Sequence, residues 1–282
     1  SKYKGEDEDG ALKKRDAEAR FESIIDFPYF LLHVLRVFCR AERLSMDGAE
    51  ELGSLLDDKL LLKDFDKVIA SCEKRDDKRI TDVKRWFART FIQFLLRSRF
   101  LFDKFIIKRK RVEDDQEGSW SLEELRVSKK KPSYADTGGV KKSETLEEAH
   151  AECLMIQSAL RVSYTSPKVM HWITELLEWL FGDDETEGLP DLPKAAERIA
   201  AEAVQEDFLD GGDYALGVQT PHIVFNYLDY LLWKADKKKY DSFTFEFRNA
   251  VEHWYPQHPS EGSFEAWDEC DRFGNLCIIS RS

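Results

Sequence analysis

From Phe21 to Trp233 the apolar residues of this chain recur at steps of three and four, and after Lys237-Lys238-Lys239 that period gives way to alternation. Steps of three and four gather apolar side chains on one face of a helix, whereas a step of two gathers them on one face of a strand. The order of the two patterns fixes the fold class as mainly α: a multi-helix body followed by a small, strand-containing C-terminal module. The switch of period is the clearest boundary in the sequence.

Asp26 is placed to cap a first helix that takes Pro28 in its first turn and carries Phe30, Leu31, Val34, Leu35 and Phe38 on one face. A second helix is expected over 58–72. A third is expected over 81–111, closing on Lys108-Arg109-Lys110-Arg111, because cations are favoured at the negative end of the helix dipole. Residues 112–143 are the least regular. Trp120, Leu122, Leu125 and Val127 suggest a short strand or turn there, followed by Lys129-Lys130-Lys131-Pro132 and Gly138-Gly139. Helices resume over 145–162 and 166–181, an acidic linker covers 183–187, and further helices are expected at 192–209 and 221–233. Phe243, Phe245 and Phe247 then alternate with polar residues as a strand would, and a second short strand is expected at 276–279. The implied organisation is a flexible start or linker at 1–18, a helical domain at 19–239 with a possible internal boundary near 112–143, and a terminal module at 240–282.

The longest apolar stretch, 27–39, is broken by His33 and Arg36 and falls short of the ~20 residues a membrane span needs. The expectation is therefore a cytoplasmic chain with no membrane partner. The five cysteines form no CxxC pair, so buried free thiols are expected, not a disulfide framework. Net charge is −12, which argues against a surface that binds nucleic acid throughout. The charge is uneven, however. Residues 79–142 hold 17 basic against 9 acidic side chains, whereas residues 240–282 hold 3 against 8. If DNA is the partner, Lys108, Arg109, Lys110, Arg111, Lys129, Lys130 and Lys131 are the candidates for holding phosphates. A solvated helix end and loop is the equal alternative.

The terminal module carries Glu252-His253-Trp254-Tyr255-Pro256, then Trp267, then Phe273-Gly274-Asn275-Leu276 entering the second strand. Taken alone, His253 is better read as a histidine satisfied at a strand end, and a turn residue is the lesser alternative for Asn275. Trp254, Tyr255 and Trp267 read as the core of the module. A zinc site of His253, His258, Cys270 and Cys277 is disfavoured, because the cysteine spacing lies outside the usual knuckle.

Together these residues resemble the C-terminal HNH nuclease domain of GmrSD-type restriction systems, whose pattern is Glu-His followed by proline, an intervening tryptophan and Gly-Asn-Leu. Residues 25–32, 100–104 and 224–228 look like the helical region that precedes that domain. The resemblance implies a ββα-metal module and a metal-dependent DNA endonuclease of a restriction or phage-defence protein. It implies His253 as general base, Asn275 orienting its imidazole, Glu252 as a metal ligand and Mg²⁺ or Mn²⁺ as cofactor. The implied partners are DNA, possibly modified, and an N-terminal sensor/NTPase region of the same protein. Histidine suits the base role because its ordinary pKa, near 6.5, lets it take a proton from water at neutral pH.

Two departures qualify the resemblance. The Asp-Gly-Gln-Gln-Arg motif of the sensor region is not in this sequence. The helix that carries a further Asn or His after Gly-Asn-Leu would lie beyond Ser282, so the module is expected to be truncated before its final helix and inactive as it stands. The alternative function is a non-catalytic helical interaction or regulatory module with a degenerate nuclease end.

Overall fold

The structure is a computed structural model that describes residues 20–44, 52, 55–74, 82–111, 118–128, 131–138, 143–182, 189–212, 214–257, 265 and 267–280. Among them are seven α-helices and three small antiparallel sheets, so the chain is mainly helical. No helix among the described residues is long and apolar enough to cross a membrane. The chain divides into two compact units, Ser1–His150 with Pro167–Pro190, and Ala151–Ser166 with Asp191–Ser282. The expected flexible start, 1–18, lies outside the described residues, as does the acidic linker at 183–187.

The first unit is organised by α1 (Phe27–Ala41), α2 (Leu61–Glu73), α3 (Val83–Phe105) and α5 (His171–Gly182). Asp26 precedes α1 as expected and Pro28 occupies its first turn, but the Asp26 side chain makes no capping bond. Its carbonyl accepts the Phe30 N–H at 3.0 Å instead. The Phe38 ring is fully buried and meets Phe87, Phe91 and Phe94 of α3 edge-on, with centroids 5.2, 6.1 and 5.4 Å away. Phe65 of α2 closes on Phe91 at 5.0 Å. Edge-to-face rings add specific geometry to the area they bury, which fixes how these helices cross. His33 lies in the same layer with no exposure, its Nδ1 2.7 Å from Thr174 Oγ1 of α5. Burial pushes its pKa down to about 3, with the nearby charges of His171 and Arg36 adding to the effect, so the ring is neutral.

The third helix does not reach Arg111. It stops at Phe105, Ile106 turns extended, and Lys108–Arg111 forms strand β2 between β1 (Arg20–Ser23) and β3 (Ser119–Ser121). Four consecutive cations on a last helical turn would fan out around the helix end, with only its carbonyls to answer them. In a strand they part onto two faces and find separate partners. Lys110 pairs with Glu123 at 3.1 Å, Arg111 with Glu22 at 3.1 Å, and Arg109 lies 4.4 Å over the Trp120 ring. Lys108 turns inward, its ammonium donating to the carbonyls of Asp103, Ile106 and Glu123. A hairpin of β4 (Glu123–Ser128) and β5 (Lys131–Asp136) follows, so the irregular 112–143 stretch does hold strands.

Helix α4 spans Glu144–Ser163. In the second unit, α6 (Leu192–Val204) continues through a π-helical turn at Gln205–Leu209, and α7 spans His222–Ala235. Tyr230 is buried and donates its hydroxyl to Glu197, while Lys234 bridges Glu197 and Glu152. Strands β6 (Ala250–His253) and β7 (Leu276–Ile279) pair antiparallel in the register Ala250↔Ile279 and His253↔Leu276. The second of these strands is where the alternation put it. The first begins later than Phe243-Phe245-Phe247 suggested, and that stretch has no regular structure. The physical reason is the shortness of β7: its pairing ends at the Asn249 N–H, which donates to Ile279 O at 3.1 Å, and no described strand lies opposite residues 243–248.

Candidate functional site

The β6–β7 hairpin is held by a small apolar cluster in which Val251 and Ile278 meet Phe225 of α7, with Phe273 and Leu276 packed against it. Alternation places His253 on the Val251 face and turns Glu252 away to the other. The two residues read as one motif in the sequence therefore do not share a site.

His253 is mostly buried, and its Nε2 lies 2.7 Å from Asp271 Oδ1, whose carboxylate is part-exposed. In the tautomer that donates Nε2–H to this carboxylate, the ring's free lone pair falls on Nδ1. Gln257 Nε2 approaches the same Asp271 oxygen at 3.5 Å. Asp271 is fixed from behind by Gly217, whose N–H donates to its carbonyl at 3.0 Å. Gly217 has φ +55°, and a Cβ there would stand 2.7 Å from Asp271 Oδ1.

Asn275 lies between the strands, only 5% exposed, and is fully used. Its Oδ1 accepts the Tyr255 N–H at 2.7 Å, and its Nδ2 donates to Tyr255 O at 3.1 Å and Cys270 O at 2.7 Å. Its backbone carbonyl accepts the Trp254 N–H at 2.8 Å. Asn275 thus fastens the backbone on both sides of the site, and the residue that orients the imidazole is Asp271.

One atom each from His253, Cys270 and Asp271 lie within 4.8 Å of one another, the one group of three such ligands among the described residues close enough to share an ion. Glu252 is not in it. Cys277 is turned to the Glu252 carbonyl at 3.6 Å, and His258 lies outside the described residues. Nitrogen, sulfur and oxygen donors suit a borderline ion such as Zn²⁺, whereas Mg²⁺ asks for oxygen ligands in a near-ideal octahedron and Mn²⁺ also favours oxygen. The expected Mg²⁺ or Mn²⁺ does not fit this donor set. An ion bound there would also occupy the imidazole and remove it as a base.

Among the described residues, the expected phosphate-binding cations are engaged by groups of the protein itself. Lys108 is buried, with its pKa pushed down to about 8 mainly by burial, and its three carbonyl acceptors tie it to the protein interior. Arg109, Lys110 and Arg111 have the partners given above. Lys129 and Lys130 lie outside the described residues, and Lys131 is placed only as backbone, opposite Ser128.

Sequence reasoning missed Asp271 and Gly217. An acid four residues before Asn275 was a readable signal for the first, whereas nothing local marks Gly217. It also took Trp254 for core, but Trp254 is 87% exposed. No family model, curated protein or solved structure matches this chain.

Proposed function

We propose that this chain carries a phosphodiester-hydrolysing centre of a restriction or phage-defence nuclease, acting on DNA in the cytoplasm. The observation that carries the reading is the pairing of His253 with Asp271 at the mouth of an antiparallel hairpin whose second strand follows Asn275. Asp271 holds the ring so that Nδ1 faces away from it, and Nδ1 takes the proton from an attacking water. Asn275 holds the two backbone segments that frame the ring. General-base action of this kind contributes roughly 10²- to 10⁴-fold in rate. No step is assigned to Mg²⁺ or Mn²⁺, for which the donor set is unsuited. Gating by an N-terminal sensor/NTPase region and selection of modified DNA belong to the same proposal, through the resemblance alone.

A second reading is a non-catalytic module, in which His253, Cys270 and Asp271 hold a structural zinc-type ion; the inward thiol of Cys270 favours it. Plasmid cleavage with added Mg²⁺, Mn²⁺ or Zn²⁺, beside His253→Ala, separates the two. Cutting that disappears in the variant is expected. Cutting that persists in it overturns His253 as the base, and no cutting by the unmodified chain under any of these ions moves the assignment to the binding module.

A further inference from the structure

The group that the hydrolytic reading leaves unused is Cys270. A general base and the carboxylate that holds it need no thiol beside them, and a buried cysteine standing alone is a small apolar side chain. Cys270 does not stand alone. It is buried, and its Sγ lies within 4.8 Å of a ring nitrogen of His253 and a carboxylate oxygen of Asp271. All three residues sit on fastened backbone. His253 pairs with Leu276 in the β6–β7 ladder, the Cys270 carbonyl accepts Asn275 Nδ2 at 2.7 Å, and the Asp271 carbonyl accepts the Gly217 N–H at 3.0 Å. Bonds of ~2.0 Å to nitrogen or oxygen and ~2.3 Å to sulfur set the ligands of a tetrahedral zinc ion about 3.3–3.6 Å apart. Side-chain shifts of about an ångström bring the three donors to that spacing. The charges also balance. One thiolate, one carboxylate and a neutral imidazole together match a divalent cation, the thiol proton leaving to solvent on binding. Residues 240–282 hold 8 acidic side chains against 3 basic, so the surroundings favour a cation.

We infer that a zinc-class ion, held by His253, Cys270 and Asp271, reversibly silences the His253 centre by taking the imidazole out of action. The inference rests on the hydrolytic reading: the hydrogen-bonded His253–Asp271 pair is the working state, and the ion-bound cluster is the resting one. Inhibition does not depend on which ring nitrogen binds. A neutral imidazole has one N–H and one lone pair. If Nδ1 takes the ion, the lone pair that would accept the water's proton is used. If Nε2 takes it, the ion replaces the proton shared with Asp271 Oδ1, and the 2.7 Å hydrogen bond opens. That proton then moves to Nδ1, and again no lone pair remains. Cys270 sets which ion does this. Thiolate is a good ligand for Zn²⁺, whereas Mg²⁺ takes oxygen, so this thiol makes the centre sensitive to the first and indifferent to the second. The Asp271 side chain is 41% exposed, which gives the ion a way in and out. The hairpin itself has other supports, in the Phe225–Val251–Ile278 cluster and the bonds of Asn275. The ion is therefore a regulator of the site and not a condition of its folding.

Ion binding can be measured apart from cutting. The full chain, stripped of metal with EDTA and moved to chelator-free buffer, is titrated with Co²⁺ and then with Zn²⁺ as competitor. Cobalt absorption reports a thiolate ligand by its charge-transfer band and a tetrahedral site by its d–d bands. Cys270→Ser, Cys270→Ala and Cys277→Ser are measured alongside, each checked for an unchanged circular dichroism spectrum. The expected result is a thiolate band that saturates with a single Co²⁺, persists in Cys277→Ser, disappears in both Cys270 variants and is displaced by Zn²⁺. In plasmid cutting, Zn²⁺ slows the unmodified chain and a chelator restores it. The half-inhibiting Zn²⁺ concentration rises at least about tenfold in the Cys270 variants, each scored against its own zinc-free rate. No thiolate band, a band that survives both Cys270 substitutions, or zinc inhibition that the Cys270 variants share in full overturns the inference. Cutting that Zn²⁺ leaves alone or accelerates overturns it as well, and keeps the nuclease. A Cys270-dependent band in a chain that cuts under no condition removes the hydrolytic reading and the silencing with it. Loss of the folded spectrum on metal removal makes the ion structural and rejects the regulatory role.

Discussion

Gly217 and Asp271 are joined at two points: the glycine N–H donates to the aspartate carbonyl at 3.0 Å, and the space a Cβ would fill is 2.7 Å from the aspartate Oδ1. The carboxylate that holds His253 is thus positioned by a residue with no side chain. Gly217→Ala is expected to cost about 1–3 kcal/mol, from its left-handed backbone and from the displaced carboxylate. Urea unfolding measures the first effect, and the NMR signals of the His253 ring report the second. An alanine variant with unchanged stability and unchanged ring signals would contradict this placement.

Asn275→Ala removes three side-chain hydrogen bonds, two of them to Tyr255 and one to the Cys270 carbonyl. At about 0.5–1.5 kcal/mol for each bond, the expected loss is roughly 2–4 kcal/mol. Hydrogen exchange at the Tyr255 amide should speed up more than at amides of the first unit. A variant that exchanges at the same rate would show that these bonds do not hold the segment.

For hydrolysis, Asp271→Asn should slow cutting at least about tenfold, because an amide does not hold the ring in one tautomer as a carboxylate does. Its circular dichroism spectrum should match that of the unmodified chain. Equal rates for the two proteins would exclude Asp271 as the partner of the base.

Buried His33 makes stability depend on pH. Its folded pKa, about 3, lies below its unfolded value, so as pH falls through about 6.5 the unfolded chain takes up a proton that the folded chain refuses. Stability contributed by the neutral ring is complete above that pH and falls by about 1.4 kcal/mol per unit toward pH 3. His33→Gln, neutral throughout, should flatten the slope of unfolding free energy between about pH 6 and pH 4. An unchanged slope would mean that other groups set it.

Lys108→Met should destabilise the first unit by about 1–3 kcal/mol, since the buried Ile106 carbonyl and the part-buried carbonyls of Asp103 and Glu123 lose a charged donor. It should leave DNA affinity and its salt dependence alone. A fall in affinity without a fall in stability would restore Lys108 to the phosphate-binding group.

Much of the helical body was legible because a period of three to four persists through mutually packed phenylalanines such as Phe38, Phe87 and Phe91. The β7 strand was legible for the same kind of reason. Lys108–Arg111 was not, because helix-end chemistry and strand partners compete for the same four cations, and Glu22 and Glu123 are remote in sequence. In the site, His253 and Asn275 were readable as residue types at a spacing. Their partners were not: Asp271 is eighteen residues from His253 and meets it only after the hairpin closes. Glu252 was misplaced next to His253 because adjacency in a strand is the opposite of proximity on one face.

The bonds from Asn275 to Tyr255 span twenty residues of chain. A loop of that size has a loop-closure entropy cost, and here folding has already met it. A ligand arriving at His253 meets backbone already fastened at Tyr255 and Cys270, so its affinity reflects the contacts it makes there and not the ordering of those segments.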